Sequence, residues 1–326
     1  MSAPGDPEAL AAAALRRAPA GIARAISLVE DRRPEARPAV WRLLRRLAAE
    51  GRGASCHRVG LTGPPGVGKS TLASAMVGEL RRRGRVVGVL AVDPSSPRSG
   101  GALLGDRARI ALDPGDDAVF VRSMAAGGDL GGLSRAAGSA VEVLSAVHDV
   151  VLVETTGVGQ SETDVEHVTD TVIVAIQPAS GDVLQFLKAG LLEVPDVLVV
   201  NKADLGAPAE RALAELRSAL GTLDAGAGRA GSPPVLATSG ATARGVPELV
   251  DACDQRFAAL VADGSLLARR RRASAAWAYG LLRTLWGERG VERAGGRAAL
   301  VGRLEAAIDR GAPAVEAVYA EGSRLE

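Results

Sequence analysis

The chain has few cysteines, few aromatic residues and almost no excess charge, and each shortage excludes a class of protein. Two cysteines in 326 residues cannot form a disulfide framework and favour a reducing compartment, so we expect a cytoplasmic protein. A net charge of +1 gives no electrostatic reason to bind nucleic acid or a membrane. No apolar run approaches the roughly 20 residues that span a bilayer. With 47% hydrophobic but only 2% aromatic residues, we expect a globular core of Ala, Val, Leu and Ile.

Lysine and asparagine are equally scarce, which makes the few that occur informative. Only Lys69, Lys188 and Lys202 are lysines among the 39 basic residues, and Asn201 is the single asparagine. Arginine is the basic residue at almost every other position. We therefore expect each lysine to lie at a position where an arginine could not take its role.

The hydrophobic pattern changes twice along the chain and predicts three units. Residues 1–54 place apolar side chains at helical spacing, which indicates an N-terminal helical extension. Residues 55–263 carry short β-branched runs separated by helical stretches, as parallel strands buried on both faces do. Residues 264–326 are helical again. Near the start of this unit is a run of four arginines, Arg269–Arg272, which we interpret as a helix end facing solvent or a second subunit.

The β-branched runs of the middle unit number seven. They are Val59–Thr62, Val86–Val92, Val119–Val121, Val150–Val153, Val172–Ile176, Val197–Val200 and Val235–Ala237. We therefore expect an α/β fold, a mostly parallel sheet flanked by helices, with helical extensions at both ends.

The first run leads into a glycine-rich segment that matches the phosphate-binding loop G-x-x-x-x-G-K-[ST] and identifies a P-loop NTPase. The segment is Gly63, Pro64, Pro65, Gly66, Val67, Gly68, Lys69, Ser70 and Thr71. Glycines let backbone N–H groups surround phosphates, and the following helix adds partial positive charge. Lys69 is expected on the β/γ-phosphate oxygens and the Ser70 hydroxyl on Mg²⁺.

The sixth run ends in Asn201, Lys202 and Asp204, which form the pattern N-K-x-D. A carboxylate at Asp204 can accept hydrogen bonds from both N1–H and the amine of guanine, whereas adenine would leave it unpaired. Ser239 and Gly240 follow the seventh run, where a GTPase presents backbone amides to the guanine carbonyl. These residues predict that the substrate is GTP.

The fourth run ends at Glu154, which begins the pattern E-x-x-G with Gly157. Most GTPases carry aspartate at the first position. We expect Glu154 to hold a Mg²⁺-bound water, the Gly157 amide to contact the γ-phosphate, and Gln160 to position the attacking water. With Lys69, these are the predicted catalytic residues. The predicted Mg²⁺ shell consists of Ser70, Asp93, Asp106 and Glu154.

These motifs together resemble the MeaB/ArgK GTPases, the chaperones of adenosylcobalamin-dependent methylmalonyl-CoA mutase. The likeness covers nearly the whole chain, from Arg24 to the C-terminal helices. It implies a P-loop GTPase of the SIMIBI class that gates cofactor loading on a cobalamin-dependent acyl-CoA mutase and uses its C-terminal arm to form a homodimer. It also implies that a loop containing Asp182, Gln185 and Lys188 relays the nucleotide state to the mutase.

Three other functions stay open at this stage. A nickel- or zinc-inserting GTPase of the same class needs a Cys/His metal motif, and Cys56-His57 is the only close pair. A ParA/MinD-type ATPase needs a lysine where this chain has Pro64. A docking module would use GTP hydrolysis only as a timer, and hydrolysis that rises sharply with a partner would distinguish it.

Overall fold

The computed structural model describes residues 6–93, 115–125, 133–155, 164–178, 195–227 and 232–325. Seven strands of these residues form one sheet in the order β3-β2-β4-β1-β5-β6-β7. Every pairing in the sheet is parallel. The strands are β1 (His57–Thr62), β2 (Val87–Asp93), β3 (Val119–Ala125), β4 (Val150–Glu154), β5 (Thr171–Ile176), β6 (Val197–Val200) and β7 (Val235–Ala237). All seven predicted runs are strands, which confirms the predicted α/β fold.

Ten α-helices of the described residues flank the sheet. They are α1 (Pro7–Leu15), α2 (Pro19–Val29), α3 (Arg37–Glu50), α4 (Lys69–Arg82), α5 (Ala137–Ser145), α6 (Ala207–Ala227), α7 (Val246–Ala262), α8 (Leu266–Arg293), α9 (Gly296–Asp309) and α10 (Ala314–Gly322). None of the helices described is long and apolar enough to cross a membrane.

The strands are mainly apolar because helices cover both faces of the sheet. In β4, Val151 and Val153 pack into one core, while Val150 and Leu152 pack into the other. Alternate residues of a strand point to opposite faces, so a strand covered on both sides is apolar except where a polar side chain has a buried partner. This burial explains why the runs are continuous rather than alternating.

The two cores are built from different parts of the chain. Helices α4 and α7 cover one face of the sheet. The other face is covered by the helices from both ends of the chain together with α5 and α6. Arg45 of α3 donates to Glu316 of α10 at 2.8 Å and 2.9 Å, which joins the two ends across this face. The division into units at residues 54 and 263 stays a prediction.

Arg270, in the arginine run at the start of α8, is a structural cation whose side chain is 11% exposed. It donates to Asp170 from Nε and Nη2 at 2.7 Å, and to the backbone oxygens of Gly53 and Cys56 at 2.7 Å and 2.5 Å. Asp170 is 0% exposed. Its burial favours the neutral acid, but the hydrogen bonds and charge of Arg270 outweigh this and lower the pKa of Asp170.

Arg270 therefore attaches α8 to the residues that precede β1 and β5. The neighbouring Arg269 donates to Asp196 at 2.8 Å, just before β6. The interpretation of this run as a helix end facing solvent or a second subunit is wrong for these two residues. It failed because their partners lie far away in the sequence.

Candidate functional site

The predicted site residues that the structure describes meet at the carboxyl edge of the sheet. The segments that follow β1, β4, β6 and β7 all leave the sheet at this edge, because every strand runs in the same direction. In open parallel sheets this edge is where ligands bind.

The phosphate loop needs glycine for steric reasons. Gly63 has φ of 141°, and a Cβ atom there would lie 2.2 Å from the backbone oxygen of Ala175. Gly68 has φ of 91°, and a Cβ there would lie 2.9 Å from Asn201 Nδ2. Helix α4 then begins at Lys69, so the N–H groups of its first turn and its positive dipole end face the loop.

Lys69 is 7% exposed and lies within the loop that precedes it. Its Nζ donates to the backbone oxygens of Gly63 at 2.7 Å and Pro64 at 3.1 Å. These bonds hold the ammonium inside the curve of the loop, where a phosphate cradled by the amides would meet it.

Ser70 and Glu154 are brought together as predicted. Ser70 Oγ donates to Glu154 Oε1 at 2.6 Å, and Glu154 is 5% exposed at the end of β4. A hydroxyl and a carboxylate are hard oxygen ligands, which fit Mg²⁺. Next to them, Thr155 Oγ1 donates to Thr62 Oγ1 at 2.9 Å, which links the ends of β4 and β1.

Several predicted residues lie partly or wholly outside the described residues. Asp93 is the last residue of β2 and pairs with Ala125 of β3, and only its backbone is described. Six others lie outside the described residues: Asp106, Gly157, Gln160, Asp182, Gln185 and Lys188.

Asn201 connects the loop after β6 to its neighbours and is 2% exposed. Its Nδ2 donates to the backbone oxygens of Val67 at 2.9 Å and Gly68 at 3.4 Å. Its Oδ1 accepts from the amide of Gly240 and the hydroxyl of Thr238, both at 3.2 Å. One side chain therefore fixes the phosphate loop and the loop after β7.

Lys202 directly precedes the helical turn Ala203–Leu205, and Asp204 lies within that turn. Lys202, with φ of 60°, donates from Nζ to the backbone oxygen of Gly66 at 2.7 Å. Asp204 is exposed, and a side-chain hydrogen bond from Ser239 holds its pKa below the usual value, so its carboxylate is ionised at neutral pH. Ser239 is 0% exposed, and its Oγ accepts from the amide of Thr242 at 3.2 Å.

Gln177 was missed by the sequence analysis. It follows β5 at the same edge of the sheet, and its Oε1 accepts from Lys202 Nζ at 3.4 Å. The only signal for it was this position directly after a predicted strand.

Among the residues described, the Cys56-His57 pair has no neighbours that complete a metal-binding cluster. Burial raises the pKa of the Cys56 thiol to about 11, so the thiolate that a metal needs is disfavoured. His57 Nε2 lies 2.9 Å from Thr171 Oγ1 in the core. Across the residues that the structure describes, no group of three or more Cys, His, Asp or Glu could hold a metal ion.

Comparison with known proteins decides the family. The sequence matches the family described as "Methylmalonyl Co-A mutase-associated GTPase MeaB" over residues 22–292. The chain belongs to the MeaB family. This family match runs from α2 nearly to the end of α8, so it includes helices from both extensions as well as the sheet.

Relatives of this MeaB-family chain are named as GTPases. A putative GTPase of Pyrococcus horikoshii is 43% identical over 77% of this chain and 77% of its own length. The mitochondrial "Methylmalonic aciduria type A homolog" of Mus musculus is 36% identical over 80% of this chain and 65% of its own. The crystal structure of "LAO/AO transport system kinase" superposes with a TM-score of 0.67 at 31% identity, covering 89% of this chain and 86% of that one. The protein is a P-loop GTPase.

Proposed function

We propose that this MeaB-family GTPase is a switch that acts as a chaperone of an adenosylcobalamin-dependent acyl-CoA mutase and gates the loading or protection of its cofactor. The observation that carries the proposal is the family match over residues 22–292. A match limited to the phosphate and base motifs would support only nucleotide binding, but this one also includes helices on both sides of the GTPase unit.

At the phosphate site, we assign charge neutralisation and positioning to the loop. The backbone N–H groups of residues 66–71 and the Lys69 ammonium bind the β- and γ-phosphates, supported by the bonds that hold Lys69 within the loop. Ser70 and Glu154, with Asp93 and Asp106, would hold Mg²⁺, and the bound ion would neutralise charge that develops on the phosphate oxygens. The Gly157 amide contacts the γ-phosphate and Gln160 orients water.

At the base site, we assign guanine selection to Asp204, because its ionised carboxylate is exposed and can accept two hydrogen bonds from guanine. Asn201 and Lys202 hold the phosphate loop and the base loop in a fixed relation, supported by their bonds to Val67, Gly68 and Gly66. Ser239 and Gly240 complete the base pocket from the loop after β7.

Contact with the mutase is assigned to the segment that contains Asp182, Gln185 and Lys188, and homodimerisation to the C-terminal helices. Lys188 is one of three lysines in a chain that otherwise uses arginine, which supports a specific role for its ammonium. The proposed homodimer would place two nucleotide sites in one assembly.

The proposal is tested with the full chain and purified methylmalonyl-CoA mutase. Complex formation is measured by size exclusion with GDP and with a non-hydrolysable GTP analogue, and GTP hydrolysis is measured with and without mutase. We expect a complex whose stability depends on the nucleotide, and faster hydrolysis when the mutase is present. If no complex forms and hydrolysis is not stimulated in any nucleotide state, the chaperone role is overturned. The assignment as a GTPase would not be affected.

Lys188→Ala tests the coupling segment in the same assay. Basal hydrolysis should stay close to that of the wild type, because Lys188 is outside the phosphate and base motifs, whereas stimulation by the mutase should be lost. Lys188→Arg is the matched control. It keeps the positive charge but replaces the ammonium with a guanidinium, so it tests whether an ammonium is required. Full stimulation of Lys188→Ala would remove Lys188 from the proposed interface.

A further inference from the structure

A cavity of about 540 Å³ lies at the amino edge of the sheet, on the face that the helices from both ends of the chain cover. Its wall is formed by residues of α3, α5, α8 and the end of α9, together with Arg58 of β1. Arg58 is the second residue of β1, whereas the phosphate loop follows the last one. The cavity is therefore separate from the nucleotide site, and its volume is within the range of small-molecule sites.

Two side chains of opposite charge on this wall, Arg58 and Glu142 of α5, have no hydrogen-bond partner among the residues described. Arg58 is bonded to Asp170 only through its backbone N–H. Both residues are half-buried. The Nε atom of Arg58 is enclosed, but its two Nη atoms and both carboxylate oxygens of Glu142 keep surface that a molecule in the cavity can reach.

The other charges on the wall are already neutralised. Arg270 donates to Asp170 at 2.7 Å, and Arg271 pairs with Asp309. Among the described residues of the wall, this leaves one cation and one anion without a partner. A ligand that neutralises both must itself carry one negative and one positive group.

The described side chains of Arg58 and Glu142 form no direct ion pair, although each is within the influence of the other's charge. Burial raises the pKa of Glu142, and the positive charge of Arg58 offsets this only in part. A cation bound directly to Glu142 would favour its ionised form, and a carboxylate bound to Arg58 would supply acceptors for its Nη donors.

The rest of the wall is largely apolar. Leu44 and Leu47 of α3, Leu267 of α8 and Ile308 of α9 line the same cavity. Leu267 is 62% exposed, so part of this apolar surface is open to contact with a ligand. A second charged group on the ligand would lose its hydration here without gaining a partner. The remainder of the ligand is therefore expected to be apolar.

We propose that this cavity binds a small zwitterion, an α-amino acid with an apolar side chain, whose carboxylate accepts hydrogen bonds from Arg58 and whose ammonium donates to Glu142. An α-amino acid carries both groups on one carbon atom, so a single small molecule satisfies both charges. The hydroxyl of Ser274 lines the cavity as well and can accept from the ammonium.

The test is calorimetric titration of the full chain with leucine, in the presence of saturating GDP and Mg²⁺ so that the nucleotide site is occupied. Two analogues of leucine provide the comparison. The first, 4-methylpentanoate, lacks the ammonium, and the second, 3-methylbutylamine, lacks the carboxylate. We expect one saturable site per chain for leucine, and binding about tenfold weaker or less for each analogue, because each leaves one charge of the cavity unpaired.

Glu142→Gln is nearly isosteric and removes only the negative charge. It should weaken leucine binding about tenfold. Binding of 4-methylpentanoate should not weaken, because this analogue has no ammonium to lose a partner. A merely structural role of Glu142 would weaken both ligands alike. Arg58→Met should likewise weaken leucine, but not 3-methylbutylamine, and Glu142→Gln remains decisive if Arg58→Met folds poorly.

Arg271→Met is the matched control, because Arg271 lines the same cavity but already pairs with Asp309. It should bind leucine as the wild type does. The proposal is overturned if leucine shows no saturable binding, if both analogues bind as tightly as leucine, or if Glu142→Gln and Arg58→Met both keep the affinity of the wild type. None of these outcomes would affect the proposed chaperone role.

Discussion

Asn201 Nδ2 donates to the backbone oxygen of Val67, 2.9 Å away, and so attaches the loop after β6 to the phosphate loop. The same side chain accepts from the amide of Gly240. The carboxamide is required because one end must donate while the other accepts. A carboxylate has two acceptors and cannot make this pair of contacts.

Asn201→Asp should therefore be more harmful than Asn201→Ala. Aspartate would place a negative oxygen against the Val67 carbonyl in a buried site, whereas alanine only removes the bonds. We expect Asn201→Ala to lower the free energy of unfolding by about 1–3 kcal/mol and to weaken GDP binding. Asn201→Asp should lower both further, as measured by urea unfolding and calorimetry. Equal effects of the two variants would show that the donor to Val67 does not matter.

Asp204→Asn should change base preference without changing stability. A carboxamide can donate to the oxygen that xanthine carries where guanine has an amine, so the affinity ratio of XDP to GDP should rise by about 100-fold or more. Because Asp204 is exposed, urea unfolding should match the wild type. The calorimetric ratio of the two dissociation constants is the readout. Retained preference for GDP would remove Asp204 from base selection.

Gly63→Ala should disrupt the phosphate loop more than Gly66→Ala does. Both glycines have positive φ, so both substitutions strain the backbone, but only at Gly63 would the new methyl meet the backbone of β5, at 2.2 Å from the oxygen of Ala175. At Gly66 the nearest atom is Gln177 Oε1 at 4.0 Å. We expect Gly63→Ala to lose GDP binding and Gly66→Ala to retain part of it, measured by calorimetry. The reverse order would contradict the steric argument.

Arg270→Met should destabilise the protein in a way that depends on pH. In the wild type the pKa of Asp170 is lowered, so its stabilising contribution is present above the unfolded pKa of about 3.9 and is lost as pH falls through the folded value. Burial favours the neutral acid, so without Arg270 we expect the pKa of Asp170 to rise and ionised Asp170 to oppose folding at pH 7. We expect a loss of about 3–5 kcal/mol at pH 7 that becomes smaller at pH 5.

Arg271→Met is the control for this effect. Its partner Asp309 is 46% exposed, so its removal should cost at most about 1 kcal/mol at either pH. Urea unfolding of both variants at pH 7 and pH 5 provides the comparison. A loss for Arg270→Met that is the same at both pH values would show that Asp170 is not the group responsible.

The strands and the phosphate loop could be predicted from local sequence because their causes are local. A strand buried on both faces requires an uninterrupted apolar run, and a phosphate loop requires glycine and lysine at fixed spacing. The partnership of Arg270 with Asp170 could not be predicted, because nothing near either residue in the sequence indicates the other. The contact of Gln177 with Lys202 was missed for the same reason, although each follows a predicted strand.

Arg45 and Glu316 are separated by 271 residues, yet they join helices that cover the same face of the sheet. During translation, the apolar surface of that face is not fully covered until almost the entire polypeptide has left the ribosome. Contacts this distant in sequence form slowly. Nascent chains that stall before the last helices would expose Val, Leu and Ile of the sheet, and we expect them to depend on holdase assistance or to be degraded.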